Sequence, residues 1–147
     1  MAETQPIENS APEGGLSHVS KNEMSPYEII KEDIKKFDLD LDPDQTYAKM
    51  LDMVKQSQYR VIRANNSLVF IENHMNGTAD GMMFTADKPQ TFVKSLRLFN
   101  QAFKRANVNE ISFAASGMAI EPLLKKAGVR FDSEPIEGGK KVTVYPE

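Results

Sequence analysis

Hydrophobic and polar positions change period several times along the chain. From Pro26 onward, apolar residues recur at Ile29, Ile30, Ile34 and Phe37, the spacing of one face of an α-helix. Ser25-Pro26-Tyr27-Glu28 supplies the start: a serine to cap, a proline for the first turn, and a glutamate that can reach back in a capping box. The predicted helix covers 26–37. Asp42-Pro43-Asp44-Gln45 repeats the signal and predicts a second helix over 43–57, striped by Tyr47, Met50, Leu51 and Val54. The period then falls to two. Residues 59–64 read as a strand, Asn65-Asn66 as a tight turn because asparagine tolerates positive φ, and 67–74 as the returning strand. Asn76-Gly77 is a second turn signal and 81–85 a third strand, which predicts an antiparallel meander.

Asp87-Lys88-Pro89 opens a long helix, predicted over 89–106, with Phe92, Leu96, Phe99, Phe103 and Ala106 alternating by four and three on one face. Its charged residues, Lys94, Arg97, Lys104 and Arg105, are all positive. Residues 110–115 form a short apolar strand of the kind buried on both sides. Ser116-Gly117 breaks the chain, a short helix carries Ile120, Leu123 and Leu124, and Gly128 stands where a helix C-terminal glycine is expected. A strand starting at 129–131, a turn at Gly138-Gly139 and a last strand over 141–145 complete the chain. The order ααβββαβαββ implies an α/β (α+β) domain with a mixed, mainly antiparallel sheet and helices on both faces. No internal repeat is visible.

Composition changes this picture in three places. The chain has 147 residues and a net charge of −3. Residues 1–24 hold four glutamates against one lysine, so they carry the whole net charge, and they add Pro6, Pro12, Gly14 and Gly15. Such a segment buries too little apolar surface to offset its ordering entropy, so 1–24 reads as a disordered acidic tail and 25–147 as a single domain. The absence of cysteine excludes disulfides, thiolate catalysis and cysteine-ligated zinc, and fits a reducing compartment. No stretch approaches the roughly 20 apolar residues of a membrane span, and the acidic N-terminus has no apolar core of the secretory-signal type.

Candidate chemistry is sparse. His18 and His74 lie far apart in sequence. Asp38, Asp40, Asp42 and Asp44 alternate between the first two helices, but a calcium loop counted from Asp38 has Pro43 and Lys49 where glycine and glutamate are needed, and helix capping accounts for Asp42. No phosphate-binding loop, dinucleotide glycine pattern, hydrolase elbow or metal constellation is present. The wholly basic polar face of the helix over 89–106, with Lys125, Lys126 and Arg130 downstream, raises nucleic-acid binding. A pI near 5.5 argues against it and leaves a solvated face, or one that docks the acidic tail or a partner's carboxylates.

The element order resembles that of the GCN5-related N-acetyltransferase family over roughly 26–147. The most specific stretch is Ile120-Glu121-Pro122-Leu123-Leu124-Lys125-Lys126-Ala127-Gly128-Val129, which is similar to that family's late helix and its glycine turn. A narrower likeness, by element order, is to small degenerate acetyltransferase-like proteins of tailed phages, some of them internal virion proteins. The family resemblance implies an acetyl-CoA pyrophosphate held on backbone amides at the start of the long helix, where the dipole and the free N–H groups make an anion site. The matching stretch is Gln90, Thr91, Phe92, Val93, Lys94 and Ser95. Gln90 fits the family pattern. Val93 replaces its first glycine, Ser95 stands at its second small position, and Pro89 removes an amide. The tyrosine that the family uses to protonate the departing thiolate is replaced by Leu124, and nothing in the spacing supports Ser116 as a substitute. For a general base, Glu72 and Glu110 read as exposed strand-end residues and His74 as a turn-proximal polar residue.

These departures lead to an expectation of a non-catalytic acetyltransferase-like scaffold, acting through a protein partner or self-assembly as a phage virion-associated or accessory protein, cytoplasmic or in the virion. Lys94, Arg97, Lys104 and Arg105 are its candidate partner-binding residues, and no cofactor, metal, membrane or nucleic acid is expected. The alternative is an active N-acyltransferase holding acetyl-CoA on an atypical turn at residues 90–95, with Glu72, Glu110 or His74 as base. The second alternative is nucleic-acid binding through the helix over 89–106.

Overall fold

The computed structural model describes residues 7–9, 24–74, 76–115 and 119–146. After a short strand β1 (Ile7–Asn9) come α1 (Pro26–Lys36), α2 (Pro43–Val54), β2 (Tyr59–Ala64), β3 (Ser67–Asn73) and β4 (Thr78–Thr85). They are followed by α3 (Pro89–Arg105), β5 (Glu110–Ala115), α4 (Glu121–Ala127), β6 (Phe131–Ile136) and β7 (Gly139–Val144). From Pro26 onward this is the order expected from sequence. The differences lie at element ends and at β1. Ile7–Asn9, within the segment expected to be a tail, is paired with β2 as an antiparallel edge strand. The remainder of 1–23 is outside the described residues.

The helix starts form for the reasons the sequence suggests. Ser25 Oγ accepts the Glu28 amide while Glu28 Oε1 accepts the Ser25 amide, a complete capping box. Asp42 caps α2 through the Gln45 amide, which gives that aspartate a structural role. The β2–β3 turn has Asn65 at φ +53°, and α4 ends on Gly128 at φ +73°, a left-handed position that a side chain would strain.

The strands form one sheet in the order β1-β2-β3-β4-β5-β7-β6. Every pair is antiparallel except β4–β5. Period-two alternation sends one row of side chains to each face. Val61, Leu68, Phe70 and Phe84 meet Ile29, Ile30, Ile34, Met50 and Val54 of α1 and α2. Ile62, Val69, Ile71, Ala79 and Ile111 meet Phe92, Leu96, Phe99 and Phe103 of α3, with Leu124 of α4. The helices therefore cover both faces as a pair each. Among the described residues no helix is long and apolar enough to cross a membrane.

The β4–β5 ladder runs from Thr78↔Glu110 to Gly81↔Phe113 and stops there, although both strands continue. Gly81 sits at that fork because the Phe113 ring lies against its α-carbon, and any Cβ would overlap the ring. Gly81→Ala should therefore cost about 1–3 kcal/mol, read as a lower urea midpoint, and Phe113→Leu in the same chain should recover part of it. An unchanged midpoint in the single variant would contradict this packing.

Candidate functional site

The loop between β4 and α3, just ahead of the helix start where the family resemblance puts the pyrophosphate, is built around a buried carboxylate. Asp87 is 6% exposed. Its Oδ1 accepts the Asn66 amide at 3.0 Å, and its Oδ2 accepts the Ser67 hydroxyl at 2.6 Å. Ser95 Oγ lies 3.0 Å from Oδ2 and also accepts from Asn65 Nδ2 at 2.9 Å. The turn's own amides are engaged as well. The Thr85 amide donates to Asp33 Oδ1 (2.9 Å), that of Ala86 to Asn66 O (2.9 Å), and that of Asp87 to Thr85 Oγ1 (3.0 Å). Lys36 Nζ bonds Asp87 O at 3.1 Å, and Arg63 donates to Asn65 O and Asn66 Oδ1, both at 2.9 Å. One polar network thus joins α1, the β2–β3 turn, the β4–α3 loop and α3.

The residues expected to hold a cofactor fall on α3 itself. Lys88 is the N-cap and makes no side-chain cap bond, so Asp87 turns inward instead of capping. The first intrahelical bond is Phe92 N–H to Lys88 O at 2.8 Å, which leaves the Gln90 and Thr91 amides ahead of it. Phe92 and Val93 are 2% and 8% exposed and belong to the core. The isopropyl group expected at the helix mouth is therefore turned into the core. Ser95, expected as a small residue facing phosphate, is fully buried in the Asp87 network. Lys94 is exposed.

Leu124, at the place of the family's proton donor, is 2% exposed. Between it and α3, the side chains of Met83, Leu96, Phe113 and Ile120 leave a void of only about 10 Å³. Outside that core, Arg97 clamps α4 onto α3: its Nη2 donates to Lys126 O at 3.0 Å and its Nε to Ala127 O at 3.4 Å, meeting the carbonyls of the helix's last turn. Arg97 is therefore occupied within the fold, whereas Lys104 and Arg105 remain exposed on α3.

The candidate bases separate. Glu72 and His74 lie together with Asp80, a residue sequence reasoning missed: His74 Nε2 is 3.1 Å from Asp80 Oδ2, and the ligand atoms of all three lie within 4.8 Å of one another. Glu110 is exposed at the start of β5. Ser116 lies outside the described residues, as does His18. Met50 of the α2 stripe is buried, whereas Met82 on β4 is 41% exposed. Met82 and the 51%-exposed Leu41 border a groove of about 360 Å³, floored in part by Asp33, between the α1–α2 connection and the β4–β5 fork.

Asp33 is 4% exposed, and burial pushes its pKa from 3.8 up to about 6, against the lowering effects of the Thr85 amide and Lys36. A carboxyl whose pKa is raised on folding favours the folded state most below its unfolded value, and that advantage is lost as pH rises through about 6. Asp33→Asn keeps an acceptor for the Thr85 amide without the charge. It should stabilise the chain by about 1–3 kcal/mol at pH well above 6, with the gain shrinking toward zero in acid, as measured by denaturation across pH. A gain independent of pH would contradict the ionised, buried Asp33.

The fold is that of the GCN5-related N-acetyltransferases. The chain is similar to an acetyltransferase of that family from Staphylococcus aureus Mu50, with a TM-score of 0.57 at 12% identity, covering 82% of this chain and 90% of that one. It is also similar to Tetrahymena GCN5, with a TM-score of 0.55 at 10% identity, covering 82% and 84%. A third likeness is to the PaiA N-acetyltransferase of Thermoplasma acidophilum in complex with coenzyme A, with a TM-score of 0.51 at 10% identity, covering 82% and 90%. No family model matches the chain, and no curated protein does.

Proposed function

We propose that this chain is a non-catalytic acetyltransferase-like scaffold that acts through protein association. The observation that carries this reading is the Asp87 network. An anion site at a helix N-terminus needs free amides and positive potential. Here a buried carboxylate sits one residue before the N-cap, and of the residues matched to the phosphate turn, Phe92 and Val93 face the core and Ser95 is bound into the Asp87 network. A pyrophosphate bound there would approach a like charge in a poorly solvated place, which costs more than in water. The interval between α3 and Leu124 is packed, which fits Leu124 as a core residue with no part in proton transfer. The exposed Leu41 and Met82 at the groove, and the cationic Lys94, Lys104 and Arg105 of α3, are the surfaces such a scaffold would offer. The likeness to small tailed-phage proteins supplies the context, a virion-associated or accessory role.

An active N-acyltransferase is the second reading. It is favoured by the Gln90 and Thr91 amides ahead of the first helical bond, and by the Glu72–His74–Asp80 group as a source of a base.

Titration calorimetry of the full chain with acetyl-CoA separates the two. The scaffold reading expects no saturable heat, and no thiol release in the presence of amine acceptors. Stoichiometric, saturable binding would overturn it.

A further inference from the structure

A second group of polar side chains lies away from the β4–α3 loop. Glu72 and Asp80 are direct cross-strand partners on β3 and β4. The His74 amide donates to Thr78 O at 2.9 Å, which extends the ladder by one residue beyond β3. Alternation then sends Glu72, His74 and Asp80 to the same face of the sheet. Glu72 is half-buried, and the side chains of His74 and Asp80 are 42% and 66% exposed, so the group is open to solvent and ions.

We propose that Glu72, His74 and Asp80 form a binding site for a divalent transition-metal ion of the zinc class. The donor set is one imidazole nitrogen and two carboxylate oxygens, a mixture suited to zinc and its neighbours, whereas calcium and magnesium favour oxygen alone. Zinc binds nitrogen and oxygen at about 2.0–2.2 Å, so neighbouring ligand atoms of a tetrahedral ion stand roughly 3.3–3.5 Å apart. His74 Nε2 and Asp80 Oδ2, at 3.1 Å, are close to that spacing already. The Glu72 oxygen lies within 4.8 Å of both, a gap that rotation of an unbranched side chain can close.

Energetics point the same way. Like charges directly opposite on adjacent strands destabilise the pairing, and a dication between Glu72 and Asp80 would turn that repulsion into attraction. Three protein ligands at an exposed position leave a fourth place for water. The ion would tie the end of the β3–β4 hairpin across both strands.

The test is clean because the chain has no cysteine and only one other histidine. Full-length protein stripped with chelator is titrated with zinc chloride by calorimetry, and with Co²⁺ followed by its visible d–d absorption. One saturable site per chain is expected. His74→Ala and Asp80→Asn should each weaken it at least tenfold, and His18→Ala not at all. Circular dichroism checks that each variant is folded, and Asp80→Asn, being isosteric, carries the test if His74→Ala is not. The proposal fails if the wild type shows no saturable binding, leaving a plain histidine–aspartate hydrogen bond. It fails equally if a folded His74→Ala or Asp80→Asn chain binds zinc as tightly as the wild type.

Discussion

A carboxylate taken out of water must be surrounded by donors, and the site around Asp87 is arranged to satisfy that demand. Its three donors come from two different elements: the Asn66 amide and Ser67 hydroxyl at the β2–β3 turn, and the Ser95 hydroxyl from the second turn of α3. Hydrogen bonds to a charged acceptor contribute roughly 1.5–3 kcal/mol each, and leaving such a charge unpaired costs more. The network therefore fixes where α3 begins, how the β2–β3 turn sits beneath it, and, through Lys36 and the Asp33–Thr85 bond, how α1 lies on the opposite face. The two hydrophobic clusters flank this polar seam, and each holds its own pair of helices against the sheet.

The same seam separates fold from function. The sheet with its β4–β5 fork and the helix after it are those of acetyltransferases, but a fold does not bring its chemistry along. At the fork, Phe113 lies against Gly81, and Met83, Leu96 and Ile120 fill the space toward Leu124. At the helix mouth the chain's own anion stands beside the positive end of the dipole. This packing motivates the scaffold proposal.

Most elements were legible from sequence because their signals are local. Capping at Ser25 and Asp42, positive φ at Asn65, the left-handed Gly128 and the four-and-three spacing from Phe92 to Phe103 all act within a few residues. The site was less legible because it depends on register. Asp80 falls opposite Glu72 only if β4 begins at Thr78, whereas sequence reading began that strand three residues later. Asp87 beside Lys88-Pro89 has the local look of a helix start, and only the tertiary placement of Ser67 and Ser95 draws it inward. Val93 illustrates the same limit: sequence gives its distance from the helix start, but packing decides that it faces the core. The pairing of Ile7–Asn9 with β2 carries no strong local pattern.

The most direct measurement is amide hydrogen exchange at residue resolution for Gln90 and Thr91, the amides ahead of the first helical bond, with and without coenzyme A. The account predicts no change at either amide on adding the cofactor. Fast exchange that becomes protected when coenzyme A is added would show amides waiting for a phosphate, and would contradict the claim that Asp87 has taken that place.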